Sequence, residues 1–426
     1  MSNRVKILLF GVLVFLGQMA AGQQRFPKPE FETGYVQPSP TTPEPRGLAV
    51  EYMDVLVLLA VLSLSTWFAL RSRSRRGILW LSVFTLIYFG FYRKGCVCSI
   101  GAIQNVALSL SDAAYTISLT ALAFFLLPLL YTLFFGRTFC AGACPLGAIQ
   151  DLLIIHPISL PPWLRKSAGI IPVVYLGLAI LFAATGTEFI ICRYDPFVGI
   201  FRLDAPYHMV VLGAAFLLLG MFVSRPYCRF FCPYGVLLNW MSRFSRWHLS
   251  ITPSDCIKCK LCTSSCPFDA IDHPTEENNP PPGINYHRRF IIYALLIPVW
   301  ILVGGFIASK SYTYLSRAHQ DVYLSELLIH HPELVNDPDN LDIQAFLSAE
   351  KTLDTLVEDA RLVQQKFKTG GWFMGGFIGL VIGITLLNQV VFRKRKDYQP
   401  NRGDCFSCGR CMDYCPVDRN QKPGKL

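Results

Sequence analysis

The sequence predicts an all-α protein that crosses a membrane about seven times, and its composition and hydrophobic pattern both support this fold class. Of its 426 residues, 52% are hydrophobic and only 16% are charged. Apolar runs recur along the chain, and several approach the roughly 20 residues with which an α-helix crosses a hydrocarbon core of about 30 Å. A soluble helical protein is the alternative, but it does not usually carry so many such runs.

The first 50 residues are predicted to precede the membrane domain. Within residues 1–22, Arg4 and Lys6 come before an apolar run and a group of small residues, a pattern typical of a signal peptide or an uncleaved N-terminal anchor. Residues 23–50 are rich in proline, glutamine and threonine, and we expect them to form a disordered tether on the extracytoplasmic side.

Basic residues fix the predicted orientation of the spans. Clusters such as 71–76 and 393–396 fall on one side of the membrane when the N-terminus lies outside, and that side is then cytoplasmic. Membrane topology thereby explains the 39 basic and 29 acidic residues, a net charge of +10, and nucleic-acid binding is not expected. The seven predicted spans are 52–70, 77–93, 114–135, 168–187, 208–223, 289–308 and 371–392.

This orientation also divides the chain into domains. The outer segment between the last two spans carries leucine and valine at helical spacing, so we expect it to be partly helical. The predicted domains are a five-helix membrane domain at 51–250, a cytoplasmic segment at 251–287, a transmembrane helix at 288–309, the outer loop at 310–370, a transmembrane helix at 371–392 and a second cytoplasmic segment at 393–426.

Eight of the fifteen cysteines form two runs of the pattern C-x2-C-x2-C-x3-C-P, one in each cytoplasmic segment. This spacing is typical of bacterial proteins that bind two [4Fe–4S] clusters, in which the fourth cysteine of each run ligates the other cluster. A zinc site is the alternative, but zinc sites rarely use this doubled pattern with trailing prolines. The predicted ligands are Cys256, Cys259, Cys262 and Cys415 for the first cluster, and Cys405, Cys408, Cys411 and Cys266 for the second.

This exchange of cysteines predicts that the two cytoplasmic segments meet in space as one small ferredoxin-like module. Neither run brings a substrate pocket or a catalytic base. We therefore expect an electron-transfer subunit of an oxidoreductase complex rather than a stand-alone enzyme.

A shorter cysteine pattern occurs three times in the membrane domain, as CVCSIGAIQ, CAGACPLGAIQ and CRFFCPYGVLL. The last two copies are C-x3-C-P segments that follow spans descending to the cytoplasmic side. Their cysteines, which are Cys140, Cys144, Cys228 and Cys232, are predicted to face one another as a third iron–sulfur or soft-metal site. Alternatively, each segment is a helix-start turn with buried cysteines that behave as small hydrophobic residues.

The first copy falls on the outer side by the same topology, as does Cys192. A possible outer metal site therefore contains Cys96, Cys98 and Cys192, and a disulfide of Cys192 is the alternative because the outside is oxidising. Nearby, Tyr194, Asp195 and His208 either handle protons for a quinone or serve as interfacial anchors and helix ends.

The two C-x3-C-P segments together with two ferredoxin runs resemble the NosR/NapH family of membrane ferredoxins, over about residues 85–426. The resemblance implies a multi-pass protein of the bacterial inner membrane with its ferredoxin runs in the cytoplasm. It implies electron transfer between a cytoplasmic donor or quinol and an extracytoplasmic redox protein. No motif for covalent flavin attachment is found, so flavin is expected only in a partner subunit.

Two other functions fit parts of the same pattern. Cytochrome-oxidase assembly ferredoxins of the FixG type share the C-x3-C-P segments and ferredoxin runs, and their implied role is the reduction of copper for insertion. A C-terminal immunoglobulin-like domain would favour that reading, whereas eleven residues follow Cys415 here. A redox sensor is the third interpretation, although the sequence has no kinase-like or DNA-binding element.

Overall fold

The computed structural model describes residues 47–95, 98–203, 205–251, 256–275, 284–333, 343, 346, 352–391 and 394–417. The predicted signal segment, nearly all of the predicted tether, and Cys96 lie outside the described residues. The described part is mostly helical, as predicted, and its sheet consists of two short strands.

Seven longer helices or helix pairs occupy the apolar regions of the sequence. Two of them continue into π-helical turns, at Trp67–Arg71 and Leu86–Tyr92. In chain order they are α1 (Leu48–Thr66), α2 (Arg75–Thr85), α4 (Leu119–Phe135), α6 and α7 (Pro162–Ala168 and Ile171–Ala184), α10 (Tyr207–Phe222), α14 (Ile284–Lys310) and α17 (Leu353–Val390).

Shorter elements connect these helices, and five of the described cysteines lie within them. The membrane domain contains α3 (Ala102–Ser111), a π-turn (Phe139–Ala143), α5 (Pro145–Leu153), α8 (Ile190–Tyr194), α9 (Pro196–Arg202), α11 (Pro226–Phe230) and α12 (Pro233–Arg243). The remaining elements are α13 (Leu261–Ser265), β1 (Ile271–Asp272), α15 (Tyr312–Leu315), a 3-10 turn (Ser316–Ala318), α16 (Gln320–His330), β2 (Gln399–Pro400) and α18 (Arg410–Tyr414).

Four helical stretches among the described residues are long and apolar enough to cross a membrane: Ala49–Arg71, Pro162–Ala184, His287–Lys310 and Leu353–Val390. A fifth is obtained if α9 and α10, bent by 106° at their junction, count as one span. The predicted spans at 77–93 and 114–135 are also helical, but α4 has only 17 residues. The structure thus supports a membrane protein with about four spanning helices, and the number seven stays a prediction.

Helices α14 and α17 cross with their backbones in direct contact. Gly371, Gly375, Gly379 and Gly383 recur every fourth residue on α17 and are buried. A Cβ atom added to Gly375 would lie 2.1 Å from the carbonyl oxygen of Gly304, and one added to Gly379 would lie 2.1 Å from that of Trp300. Small residues at this spacing let two membrane helices approach closely.

Gly375→Ala is expected to destabilise this helix pair by about 1–3 kcal/mol or more, because the added methyl group meets rigid backbone. Gly376→Ala is the matched control, since its added Cβ atom would lie 3.5 Å from the nearest atom, Cγ2 of Ile301. There the gain in helix propensity of about 1 kcal/mol applies without a clash. Unfolding in mixed micelles with SDS measures the stability of both variants. Equal stability would contradict the close approach of α14 and α17.

Candidate iron–sulfur centres

The two cysteine-rich segments meet through their backbones, as predicted. Strands β1 and β2 pair in antiparallel register, with Ile271 opposite Pro400 and Asp272 opposite Gln399. The amide of Asn401 donates to the carbonyl oxygen of Ala270 at 2.8 Å. These contacts join residues more than 120 positions apart in the sequence into one module.

The two cysteine loops of this module have the same backbone conformation. The residue two positions after the first cysteine is left-handed in both, with φ of 54° at Lys258 and 52° at Ser407. Two residues later φ is again positive, 63° at Lys260 and 77° at Gly409. A left-handed residue other than glycine costs about 1–2 kcal/mol. Such strain is retained where the surroundings determine the conformation, as in a ligand-binding loop.

The repeated conformation directs backbone amides at the sulfur atoms. The amide of Lys258 donates to Sγ of Cys256 at 3.4 Å, and the amide of Ser407 donates to Sγ of Cys405 at 3.4 Å. Hydrogen bonds to ligating sulfurs stabilise thiolates and tune the potential of an iron–sulfur cluster. Both loops therefore fit iron–sulfur ligation.

The first predicted ligand set surrounds one small cavity. Its lining includes all four predicted thiols, together with apolar groups from Ile251, Tyr398 and Val417; the thiols belong to Cys256, Cys259, Cys262 and Cys415. Three of these cysteines come from the first segment and one from the second, which is the exchange that the sequence predicts. The donor set and its apolar surroundings fit a [4Fe–4S] cluster, which takes one thiolate at each of its four iron atoms.

The second predicted ligand set is also brought together. Burial raises the pKa of the Cys405 thiol to about 12, the amide of Ser407 opposes this shift, and the nearby Cys408 and Cys266 add to it. Cys411 interacts electrostatically with the same three thiols. In the described part of the chain, no three His, Cys, Asp or Glu side chains close on one point as ligands of a single metal ion do. Ligands of a cluster surround a larger centre instead.

The four cysteines of the C-x3-C-P segments also lie together in the structure. Cys144 and Cys232 are buried as the N-terminal caps of α5 and α12, and Cys140 and Cys228 are half-buried. Cys232 lies close enough to the other three for their charges to interact. These four residues are called the inner cysteine site below.

Hydrogen-bond donors point at the sulfurs of the inner cysteine site. Nε2 of Gln150 donates to Sγ of Cys228 at 3.3 Å, and the amide of Gly235 donates to Sγ of Cys232 at 3.3 Å. A guanidinium nitrogen of Arg137 lies 3.9 Å from Sγ of Cys140. Cationic and amide donors favour thiolate over thiol. These donors are compatible with a metal or iron–sulfur site formed by the inner cysteine site.

The inner cysteine site is in direct contact with the ferredoxin-like module. Cys140 and Cys228 pack against the cluster of buried residues that contains Phe268, Phe406 and Cys408. The same cluster contacts two further module cysteines, Cys266 and Cys405. The phenylalanine rings lie 4.8 Å apart, and the guanidinium of Arg137 lies 4.2 Å from the ring of Phe406. Apolar and cationic groups thus separate the second predicted cluster from bulk water at this junction.

A buried carboxylate holds the junction together. Asp151, on α5, contacts Arg75 at 2.5 Å, Arg410 at 3.2 Å and Arg225 at 3.6 Å. Arg75 also donates to the carbonyl oxygen of Cys408 at 2.9 Å. Burial by itself raises the pKa of Asp151, but the charges of the three arginines hold it well below its ordinary range. We call these four residues the Asp151 clamp.

The sequence did not point to the Asp151 clamp. In the sequence, Arg75 stands out only as part of the basic cluster at 71–76 that indicates the cytoplasmic side. The available signal was an aspartate within the amphipathic stretch after the second copy of the short cysteine pattern. A carboxylate at this place requires a cationic partner if it is buried.

Cys98 and Cys192, which the sequence places on the outer side, lie near each other, and Cys96 falls outside the described residues. A cavity lined by both residues also contains Arg93 and Asp54 in its wall, and these two form a buried ion pair. Cys98 is not in a disulfide. A second cavity is lined by Cys98 and by Cys144 of the inner cysteine site, so the outer and inner cysteines approach each other inside the membrane domain.

Asp195 is a helix end, which is one of the roles that the sequence allows for it, because it caps α9. It is only 3% exposed, and its Oδ2 accepts a hydrogen bond from the hydroxyl of Tyr227 at 2.9 Å. Tyr194 and His208 are exposed, as expected for interfacial residues.

Comparison with protein families supports iron–sulfur binding. A model described as a 4Fe–4S binding domain matches residues 117–170 and 205–252, which contain the inner cysteine site. A second model with the same description matches residues 249–272, which contain the first ferredoxin run. The chain therefore binds [4Fe–4S] clusters.

Relatives of the chain include three proteins of different lengths. It is 27% identical to Uncharacterized protein MJ0750 of Methanocaldococcus jannaschii, over 43% of this chain and 77% of the relative. It is 27% identical to Regulatory protein NosR of Stutzerimonas stutzeri, over 47% of this chain and 30% of the relative. It is 26% identical to Putative electron transport protein YccM of Escherichia coli K12, over 32% of this chain and 43% of the relative. The chain thus spans less than half the length of the last two, and no solved structure matches it.

Proposed function

Because the chain is related to the membrane ferredoxins of the NosR/NapH type, we propose that it conducts electrons across the bacterial inner membrane. On one side it exchanges electrons with a cytoplasmic donor or the quinone pool. On the other side it exchanges electrons with an extracytoplasmic redox protein, such as a flavoprotein subunit. The ferredoxin-like module lies on the cytoplasmic side. These details build on the finding that the chain is an iron–sulfur electron-transport protein of a membrane.

One observation carries the proposal: cysteines of the ferredoxin-like module and of the inner cysteine site belong to one packed cluster. Cys140 and Cys228 pack against the same buried residues as Cys266, Cys405 and Cys408. A ferredoxin that served only cytoplasmic partners would have no need for this junction. Its presence supports electron transfer from the module into the membrane domain.

The cysteines continue beyond the junction toward the outer side. Cys144 of the inner cysteine site and Cys98 line one cavity, and Cys98 and Cys192 line the next. A hydrocarbon core of about 30 Å is too thick for one efficient electron transfer, so intermediate centres are required. The order of these side chains supports a series of centres from the module to the outer face.

Bound [4Fe–4S] clusters supply one-electron oxidation and reduction at potentials set by their surroundings. The residues of this chain provide those surroundings. Gln150 and Arg137 direct donors at the sulfurs of the inner cysteine site. Phe268 and Phe406 exclude water from the junction, and the Asp151 clamp holds the module against the membrane domain.

The test is electron transfer across a vesicle membrane. Protein in liposomes that enclose reduced methyl viologen is supplied with external ferric citrate, and viologen oxidation is followed by its absorbance. We expect the Cys140→Ser/Cys228→Ser double variant to abolish this oxidation and to keep the iron of the ferredoxin-like module, about 8 atoms per chain. Gly376→Ala and empty liposomes are the controls.

An unchanged rate in the double variant would contradict a route through the inner cysteine site. A wild-type protein that leaves the enclosed viologen reduced would contradict transmembrane conduction altogether. It would favour a protein that reduces a metal or senses redox state at one face.

A further inference from the structure

The membrane domain contains the inner cysteine arrangement twice, once at each side. Gln150 lies six residues after Cys144, and its Oε1 accepts from the amide of Tyr227 at 3.2 Å. Gln104 lies six residues after Cys98, and its Oε1 accepts from the amide of Ile191 at 3.0 Å. Both glutamines are fully buried.

These two hydrogen bonds fix a register between the outer and the inner segments. Tyr227 directly precedes Cys228, and Ile191 directly precedes Cys192. Each of these cysteines is the third residue of a five-residue helix, α11 (Pro226–Phe230) or α8 (Ile190–Tyr194). Cys192 is therefore the outer counterpart of Cys228, just as Cys98 is the counterpart of Cys144.

The position of the helix caps identifies the counterpart of Cys232, with one residue fewer on the outer side, since Asp195 follows Cys192 by three residues and Cys232 follows Cys228 by four. Cys232 caps α12, whose first residue is Pro233, and its sulfur accepts from the amide of Gly235 at 3.3 Å. On the outer side the cap of the next helix, which also begins with proline, is Asp195. Its Oδ1 accepts from the amide of Phe197 at 2.9 Å. Asp195 thus occupies the place of a ligand cysteine.

Cys192 lies against the loop of Cys98, and Asp195 follows Cys192 by three residues in the chain. A Cβ atom added to Gly101, three residues after Cys98, would lie 3.2 Å from Sγ of Cys192. The charges of Asp195 and Cys192 both act on Cys98. Thiolates and a carboxylate are ligands for iron, and soft thiolates select iron–sulfur centres among the metals that redox proteins use.

The surroundings of Asp195 leave its charge without a cation. Asp54 pairs with Arg93 and Asp151 pairs with three arginines, but no such partner of Asp195 occurs among the residues that the structure describes. A buried carboxylate without a counter-charge is costly, and a bound metal supplies the missing positive charge. Each carboxylate oxygen accepts one hydrogen bond and keeps capacity for a ligand bond.

We propose that Asp195 is a ligand, together with Cys98 and Cys192, of an outer iron–sulfur centre that mirrors the inner cysteine site. The family models that match this chain stop short of all three residues. The proposal rests on the proposed function, in which an outer centre is the last one before the extracytoplasmic partner. It gives that centre a ligand set different from that of the inner cysteine site.

The test measures iron, acid-labile sulfide and the electron paramagnetic resonance spectrum of reduced protein, purified without oxygen in detergent. We expect Asp195→Asn to lose the iron and the signal of one centre, while about 8 iron atoms of the ferredoxin-like module are retained. Asp195→Cys, which copies Cys232, is expected to keep that iron and to shift the signal. Asp112→Asn is the matched control, because Asp112 makes the same hydrogen bond to the amide two residues on, at 2.9 Å.

Cys192→Ser distinguishes the existence of an outer centre from the role of Asp195 as its ligand. If it loses iron that Asp195→Asn retains with an unchanged spectrum, the outer centre exists without Asp195 and our assignment is overturned. If neither variant changes iron or spectrum, no outer centre exists. The Cys140→Ser/Cys228→Ser experiment in liposomes then still decides separately whether the inner cysteine site takes part in conduction.

Discussion

Asparagine in place of Asp151 is expected to destabilise the protein by about 3–5 kcal/mol, the usual cost of removing one partner from a buried ion pair. The change keeps the size of the side chain, but leaves Arg75, Arg225 and Arg410 to repel one another. Arg225 is fully buried, and Arg410 belongs to the ferredoxin-like module. Because the Asp151 clamp bridges module and membrane domain, electron transfer across liposomes is expected to fall together with stability.

The matched control is Glu188→Gln, which removes an ion pair with Arg193 whose side chain is 65% exposed. Exposed pairs typically contribute about 0–1 kcal/mol, so this variant should unfold close to wild type in an SDS titration. Equal unfolding of the two variants would show that the Asp151 clamp does not hold the junction.

The same clamp predicts the direction of a pH effect. The pKa of Asp151 is lowered in the folded protein, so its contribution is fully present above the ordinary carboxyl pKa of about 4 and is lost as the pH falls further. The stability difference between wild type and Asp151→Asn should therefore shrink on acidification.

Iron loss in paired variants is expected to show which cysteines share a cluster. Cys259 and Cys415 line the same cavity, so the Cys259→Ala/Cys415→Ala protein should lose about 4 iron atoms relative to wild type, no more than either single variant. Cys408 belongs to the other predicted set. The Cys408→Ala/Cys415→Ala protein should lose about 8, because both clusters lack a ligand.

The opposite pattern would mean that each cysteine run holds its own cluster. In that case the Cys259→Ala/Cys415→Ala protein would lose about 8 iron atoms, because its two changes fall in different clusters. The Cys408→Ala/Cys415→Ala protein would lose about 4, because both changes fall in one cluster. The two double variants contain the same Cys415→Ala change, so a general effect of that substitution on folding cancels in the comparison.

Local spacing made the ferredoxin-like module predictable. Three cysteines at C-x2-C-x2 spacing and a fourth before proline specify loop and ligand together, so the meeting of segments far apart in sequence followed from Cys266 and Cys415. The position of Asp195 was not predictable in the same way. Its burial depends on how α9 packs, and its likeness to Cys232 appears only when hydrogen bonds to Gln104 and Gln150 align the segments and both residues are seen to cap a helix that begins with proline.

The sequence predicts where the apolar helices lie along the chain, but it does not predict their lengths or bends. Hydropathy located an apolar helix in each predicted region, because burial in lipid requires apolar side chains along the whole span. It did not show that α4 is short or that α9 and α10 bend by 106°, since these features depend on local breaks in the helices, such as the left-handed Leu203 at the end of α9. The arginines of the Asp151 clamp were not predictable from hydropathy either, because tertiary packing brings them to Asp151.

The glycine contact between α14 and α17 allows only discrete alignments of the two helices. Glycines recur every fourth residue, so a slip of α17 to the next alignment moves it by about 6 Å, four residues at 1.5 Å each. Any smaller slip places a side chain against the backbone of α14. β1 precedes α14 and β2 follows α17, so the alignment of these two helices bears on how the two halves of the ferredoxin-like module meet.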